Sequence, residues 1–164
     1  MNVQVASAND IEIATIREKF FKLTLDSKDT EAVLEEVRSI ENKSGIILAY
    51  EAALQALMAK VVWNPLSKIN HLKLSNKIFD LAVEKDPENI EIRFIRFSVE
   101  YHIPKWLRLS RNMDKDKDYI MSNLELFDIS CISRNMLTYI KKFVNQCGWY
   151  SNAELNKIAM IIDA

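Results

Sequence analysis

The sequence predicts an all-α protein of about eight helices, and three observations carry that prediction. Only 2 glycines and 3 prolines occur in 164 residues, so the positive-φ turns that a many-stranded β fold consumes are almost missing. Apolar residues recur at three- and four-residue intervals, the period of one helix face, and no segment reads as a strand. Breaking signals at Asn64-Pro65, Asp86-Pro87, Pro104 and Gly148 divide the chain into segments of helical length. With 49% hydrophobic residues the chain can bury a substantial core, and its length suits one domain, 1–164.

Asn9 and Glu12 form a capping-box pattern ahead of Ile13, Ile16, Phe20 and Leu23, which predicts a first helix over about 10–25. A second follows at about 30–42 with Val33, Val37 and Ile40 inward. The third, about 46–63, is apolar nearly all round (Ile47, Leu48, Ala52, Ala53, Leu54, Ala56, Leu57, Val61) and is therefore expected at the centre. Asn64-Pro65 stops it and starts a fourth helix that reaches Lys85. Asp86 as N-cap and Pro87 at the first helical position open a fifth, about 87–102, which Pro104 ends. After an irregular stretch the sixth runs over about 114–127, the seventh over about 133–147 and the eighth over about 152–162. Gly148 suits the position just past a helix end, and Ser151 with Glu154 repeats the capping-box pattern.

The 22 basic and 23 acidic residues nearly cancel, which argues against a globally electrostatic nucleic-acid binder. No leader pattern opens the chain, and the longest apolar stretch, Gly45 to Trp63, is interrupted by Glu51, Gln55 and Lys60; the expectation is a cytoplasmic protein with no membrane span. Cys131 and Cys147 belong to no CxxC or Cys/His cluster, so two reduced, partly buried thiols are expected rather than a disulfide or a zinc site. No phosphate loop, metal-ligand cluster or nucleophile elbow occurs, so neither an enzyme nor a cofactor is indicated.

Counting back from Pro87, Ala82, Phe79 and Ser75 stand five, eight and twelve residues earlier. This spacing resembles the second helix of a tetratricopeptide repeat, with the alanine-rich third helix as its matching first helix. The resemblance covers residues 46–102. It departs from the family pattern at Trp63, where a small residue is expected and a longer connection stands, and the positions 34 residues on are Leu109, Met113 and Asp116, so no second copy follows. The resemblance implies antiparallel hairpins in a short stack, the alternative being an irregular helical bundle, and it implies a protein-binding scaffold.

Stepping 100° per residue puts Asn89, Arg93, Arg96 and Glu100 in one arc of about 60° on the otherwise apolar fifth helix. Two readings stand side by side: a salt-bridged seam, or guanidinium groups presented in a groove to an anion. Glu51 is the only acid of the third helix and Arg93 and Arg96 the only arginines or lysines of the fifth, so Glu51 is expected to pair with one of them. Alanine density opposite Ser75 and Ala82 places the close crossing of helices three and four at Ala53 or Ala56. Asp114, Asp116, Asp118 and Glu125 imitate a calcium loop, but Tyr119 replaces the required glycine, and a solvated helix start is the reading adopted. His71 and His102 have no catalytic neighbour in sequence and read as edge or surface residues.

No acid lies between Glu51 and Asp80, where Lys60, Lys68, Lys73 and Lys77 stand, nor between Glu100 and Asp114, where Lys105, Arg108 and Arg111 flank Trp106. The leading expectation is a module that binds a peptide or protein segment in a groove near helices three and five. Its alternatives are a nucleic-acid or anionic-surface binder using residues 60–77 and 105–111, in which Lys105, Arg108 and Arg111 face solvent, and a subunit that self-associates as a homodimer.

Overall fold

The computed structural model describes residues 8–163, with side chains from residue 10 onward, as eight α-helices and two 3-10 turns, with no strand among them. The contacts fall into two compact units, Met1–Pro87 and Glu88–Ala164.

The first unit holds α1 (Ala8–Leu25), α2 (Thr30–Arg38), α3 (Gly45–Val61) and α4 (Pro65–Lys85). The proposed cap Asn9 lies outside the residues whose side chains are described. α2 stops at Arg38 instead of reaching 42, because Asn42 turns into the left-handed region at φ 52. Its inward residues are Thr30, Leu34 and Val37 rather than Val33 and Ile40, a 4–3 spacing that keeps one narrow face on the core. α3 is central as its composition requires: Ala49, Tyr50, Ala52, Ala53 and Leu54 are fully buried, and α1, α2 and α4 all pack on it. Its contact with α4 is the most extensive in the chain. At that crossing the Ser75 hydroxyl donates to the Ala52 carbonyl at 2.7 Å, so the close approach is at Ala52. Ala53 is buried as well, while Ala56 is only half-buried.

Asn64 caps α4 through its side-chain oxygen, which accepts from the amides of Leu66 and Ser67, and Pro65 occupies the first helical turn. The Asp86-Pro87 prediction fails by three residues. Asp86 ends α4 instead of capping α5, and Asn89 is the N-cap of α5 (Ile90–His102), accepting from the Ile92 amide at 3.2 Å. Asn and Asp are about equal as caps; here Pro87 and Glu88 form a turn that consumes the residues expected to be helical.

The second unit consists of α5, α6 (Met113–Ser122), α7 (Arg134–Gln146) and α8 (Asn152–Ile162), with 3-10 turns over Lys105–Leu107 and Leu124–Leu126. Its core gathers Ile90, Phe97, Met113, Ile120, Leu124, Phe143, Val144 and Tyr150. Phe97 is the hub, meeting Phe143, Trp149 and Tyr150 edge-on at centroid distances of 5.7 to 6.2 Å. Ser133 caps α7, and Ser151 and Glu154 close the predicted capping box on α8, with the Ser151 amide donating to Glu154 at 2.7 Å. Gly148, at φ 72, makes the turn between these two helices.

Candidate functional site

Two kinds of feature stand out from the packed helices: a buried ionic cluster on α5 and α6, and exposed basic and apolar surface.

The cluster explains the arginines of α5. Arg96 donates from Nε and Nη2 to the two oxygens of Asp116, both at 2.7 Å, a bidentate pair; Arg93 donates from Nη1 to the same carboxylate at 3.2 Å and lies over the Tyr119 ring, 4.8 Å from its centroid. Asp116 is 0% exposed, Arg96 3% and Arg93 6%. One turn further along α5, the Glu100 carboxylate, 1% exposed, accepts from the backbone and side-chain amides of Asn112, both at 2.8 Å. The Ser110 hydroxyl donates to the Glu100 carbonyl at 2.7 Å. Charges therefore fasten α5 to α6 and to the loop between them. Burial pushes the Glu100 carboxyl above its usual range, against the opposing pull of the Asn112 donors and Arg96.

Arg93 and Arg96 thus meet Asp116, not the expected Glu51. Glu51, half-buried on α3, has its ion pair with Lys43 at 3.4 Å. The reason is the register of α6. Met113, Asp116 and Ile120 share its buried face, so the acid faces the arginines, while Asp114 and Asp118 project into solvent. Of the acids in the calcium-like spacing Asp116 is buried while Asp114, Asp118 and Glu125 are exposed, and no group of three or more metal-ligating side chains forms among the described residues. Arg93, Arg96 and Glu100 are buried, and their charged groups meet Asp116 and Asn112.

Lys105, Trp106, Arg108 and Arg111 are exposed, as the second basic segment requires, with Trp106 at 76% and Arg108 in the left-handed region at φ 53. In the first unit Lys60, Lys73 and Lys77 are exposed and Lys68 half-buried, and none of these four has an ion-pair partner among the described residues. Beside them stand Trp63, 96% exposed, and the exposed leucines Leu66, Leu74 and Leu81.

The histidines serve local roles. His71 Nδ1 meets the Gln55 amide at 2.5 Å, and Gln55 in turn accepts from Arg38 at 2.8 Å, a polar chain across α2, α3 and α4; burial and then the Arg38 charge hold His71 below its ordinary value. His102 is exposed and stacks on Phe143 at 5.9 Å. Of the two cysteines Cys147 is buried and Cys131 exposed, and neither is in a disulfide among the described residues.

Sequence reasoning missed Asp116, Asn112 and Gln55. Asp116 had left a signal, because it falls on the 113–116–120 line that otherwise reads as the apolar stripe of α6. No helix among the described residues is long and apolar enough to cross a membrane. No protein family, curated protein or solved structure matches the chain.

Proposed function

We propose that the protein is a helical interaction module and that the outer face of α4 receives an amphipathic helix from a protein partner. The observation that carries this reading is that α4 holds exposed leucines on the side opposite its packed face. Leu72, Ile78, Phe79 and Ala82 pack inward, while Leu66, Leu74 and Leu81 stand exposed on the opposite side, with Lys73 and Lys77 among them. At 100° per residue these five outer positions share an arc of about 100° with the exposed Asn70 and Glu84, so the leucines stand in a mixed apolar and polar face about one helix wide. Among the described residues of its unit α4 packs extensively on α3 alone, which makes it an edge helix there.

This reading keeps the protein-binding role that the repeat-like hairpin implies and moves the contact face away from helices three and five. Most side chains of α3 and of α5 are already committed to core packing and to the Asp116 cluster. The two lysines on the docking face favour a partner helix that carries acids beside its apolar stripe. A cytoplasmic setting belongs to the same proposal and is consistent with two cysteines that form no disulfide among the described residues.

The test is Leu74→Glu with Leu81→Glu. Both positions are exposed, so the variant should keep its helical signal and thermal midpoint. Affinity purification from the native host should lose the proteins that co-purify with the unaltered chain. An unchanged set of co-purifying proteins would reject this face.

A further inference from the structure

The connection between α3 and α4 has a chemistry of its own. Val61, Trp63 and Leu66 are all exposed around the chain reversal at 62–64, and the Trp63 side chain lies almost wholly outside the protein at 96% exposure. Lys60 on the last turn of α3 and the half-buried Lys68 on the first turn of α4 flank them along the chain. Neither lysine has an ion-pair partner among the described residues, and no acid occurs between Glu51 and Asp80.

We infer that this tip, Lys60 to Lys68, docks on an anionic lipid surface, with Trp63 and Leu66 entering the interfacial region and the lysines at headgroup level. Three features favour lipid over other occupants. A single large side chain projecting from a tight reversal is convex, and a fluid interface closes around a convex apolar tip without needing a matching cavity. The exposed aliphatic groups Val61 and Leu66 gain from an acyl boundary and would gain nothing from a polynucleotide, which rewards ring stacking and backbone contacts. Tryptophan with flanking lysines is the residue combination that the membrane interface favours, the indole resting at headgroup depth and the lysine stems lying along apolar surface with their charge in water. Charge complementarity supplies the selectivity: unpaired cations in an acid-free stretch need an anionic leaflet.

The positions differ from those on the outer face of α4 proposed for the partner helix, save Leu66 at its edge, so the two proposals fail separately. The test uses the full chain with Trp106→Phe and Trp149→Phe, leaving Trp63 as the sole fluorophore. It is titrated with vesicles of equal parts phosphatidylserine and phosphatidylcholine, and with phosphatidylcholine alone. Expected are a blue shift of Trp63 emission and quenching by lipids brominated on the upper acyl chain, in the anionic vesicles only, weakening as salt rises. Lys60→Gln with Lys68→Gln should lower the vesicle affinity by roughly fivefold per lysine, and Trp63→Ser by roughly tenfold or more. Circular dichroism of each variant checks that the fold persists. Equal binding to neutral vesicles, vesicle binding without Trp63 quenching, or no vesicle binding would overturn the inference. A Trp63 shift with a DNA duplex but not with vesicles would also overturn it, in favour of a nucleic-acid contact.

Discussion

Replacing Asp116 with Asn keeps the shape of the side chain and removes the anion shared by Arg93 and Arg96. All three residues are less than a tenth exposed, so water cannot take over the lost role. Removing one partner from a buried ion pair costs about 3–5 kcal/mol, because the remaining charge stays in a poorly solvating site. The amide recovers one acceptor but turns its NH2 donors toward guanidinium donors. Arg96 makes two 2.7 Å bonds to Asp116 and Arg93 one of 3.2 Å, so the coupling should be unequal. A cycle of Asp116→Ala with Arg96→Met should return about 2–4 kcal/mol, and with Arg93→Met about 1 kcal/mol. Trp149 packs on Phe97 at 5.8 Å and serves as the probe of the second unit in urea unfolding, with Trp63 and Trp106 changed to Phe. The couplings should persist at high salt, since buried pairs are little screened. A loss below about 1 kcal/mol for Asp116→Asn, or equal coupling for the two arginines, would refute the reasoning.

Three further outcomes follow from the same geometry. Burial raises the folded carboxyl of Glu100 above the ordinary 4.5, so the folded state holds that proton more tightly than the unfolded chain; stability from this group is present below about 4.5 and is lost as pH rises through the folded value. The unfolding free energy of the wild type should therefore fall relative to Glu100→Gln as pH rises from about 4.5 through the folded value and level off above it, and parallel profiles across that range would contradict the assignment. Ala52→Leu should cost about 1–3 kcal/mol, since the Ser75 hydroxyl already touches the Ala52 carbonyl, while Ala56→Leu should cost clearly less; equal midpoint shifts would move the crossing elsewhere. Gly148→Ala should cost about 1 kcal/mol from backbone strain alone, because φ is 72 and an added Cβ meets nothing within 4 Å; an unchanged denaturation midpoint would remove glycine's role there.

Much of the fold was legible because the signals were local. Asn64-Pro65 and Ser151 with Glu154 each specify a helix start within four residues, and the nearly all-round apolar surface of α3 required a central place. Where two local signals competed, the reading failed. Asp86 and Asn89 are both good caps, and only the turn at Pro87-Glu88 decides between them. The polar half of the site was harder, because it depends on which helices meet. Arg93 and Arg96 demanded an acid, and Glu51 was the nearest in reasoning because a regular repeat would set helices three and five side by side. Asp116 sits in a run of alternating Asp and Lys that looks solvated as a string of letters, and only the phase of α6 turns it inward. The exposure of Trp63 and Trp106 was not readable either, since tryptophan suits a core equally well by composition.

The central functional claim is that α4 carries a docking face for a partner helix, and site-specific photocrosslinking in the native host tests it most directly. A benzophenone residue at position 74, on that face, is compared with one at position 31, exposed among the charged residues of α2. The account predicts a discrete crosslinked protein from position 74, joined through a segment that reads as an amphipathic acidic helix, and none from position 31. Crosslinks of equal yield and identity at both positions, or none at position 74, would contradict it.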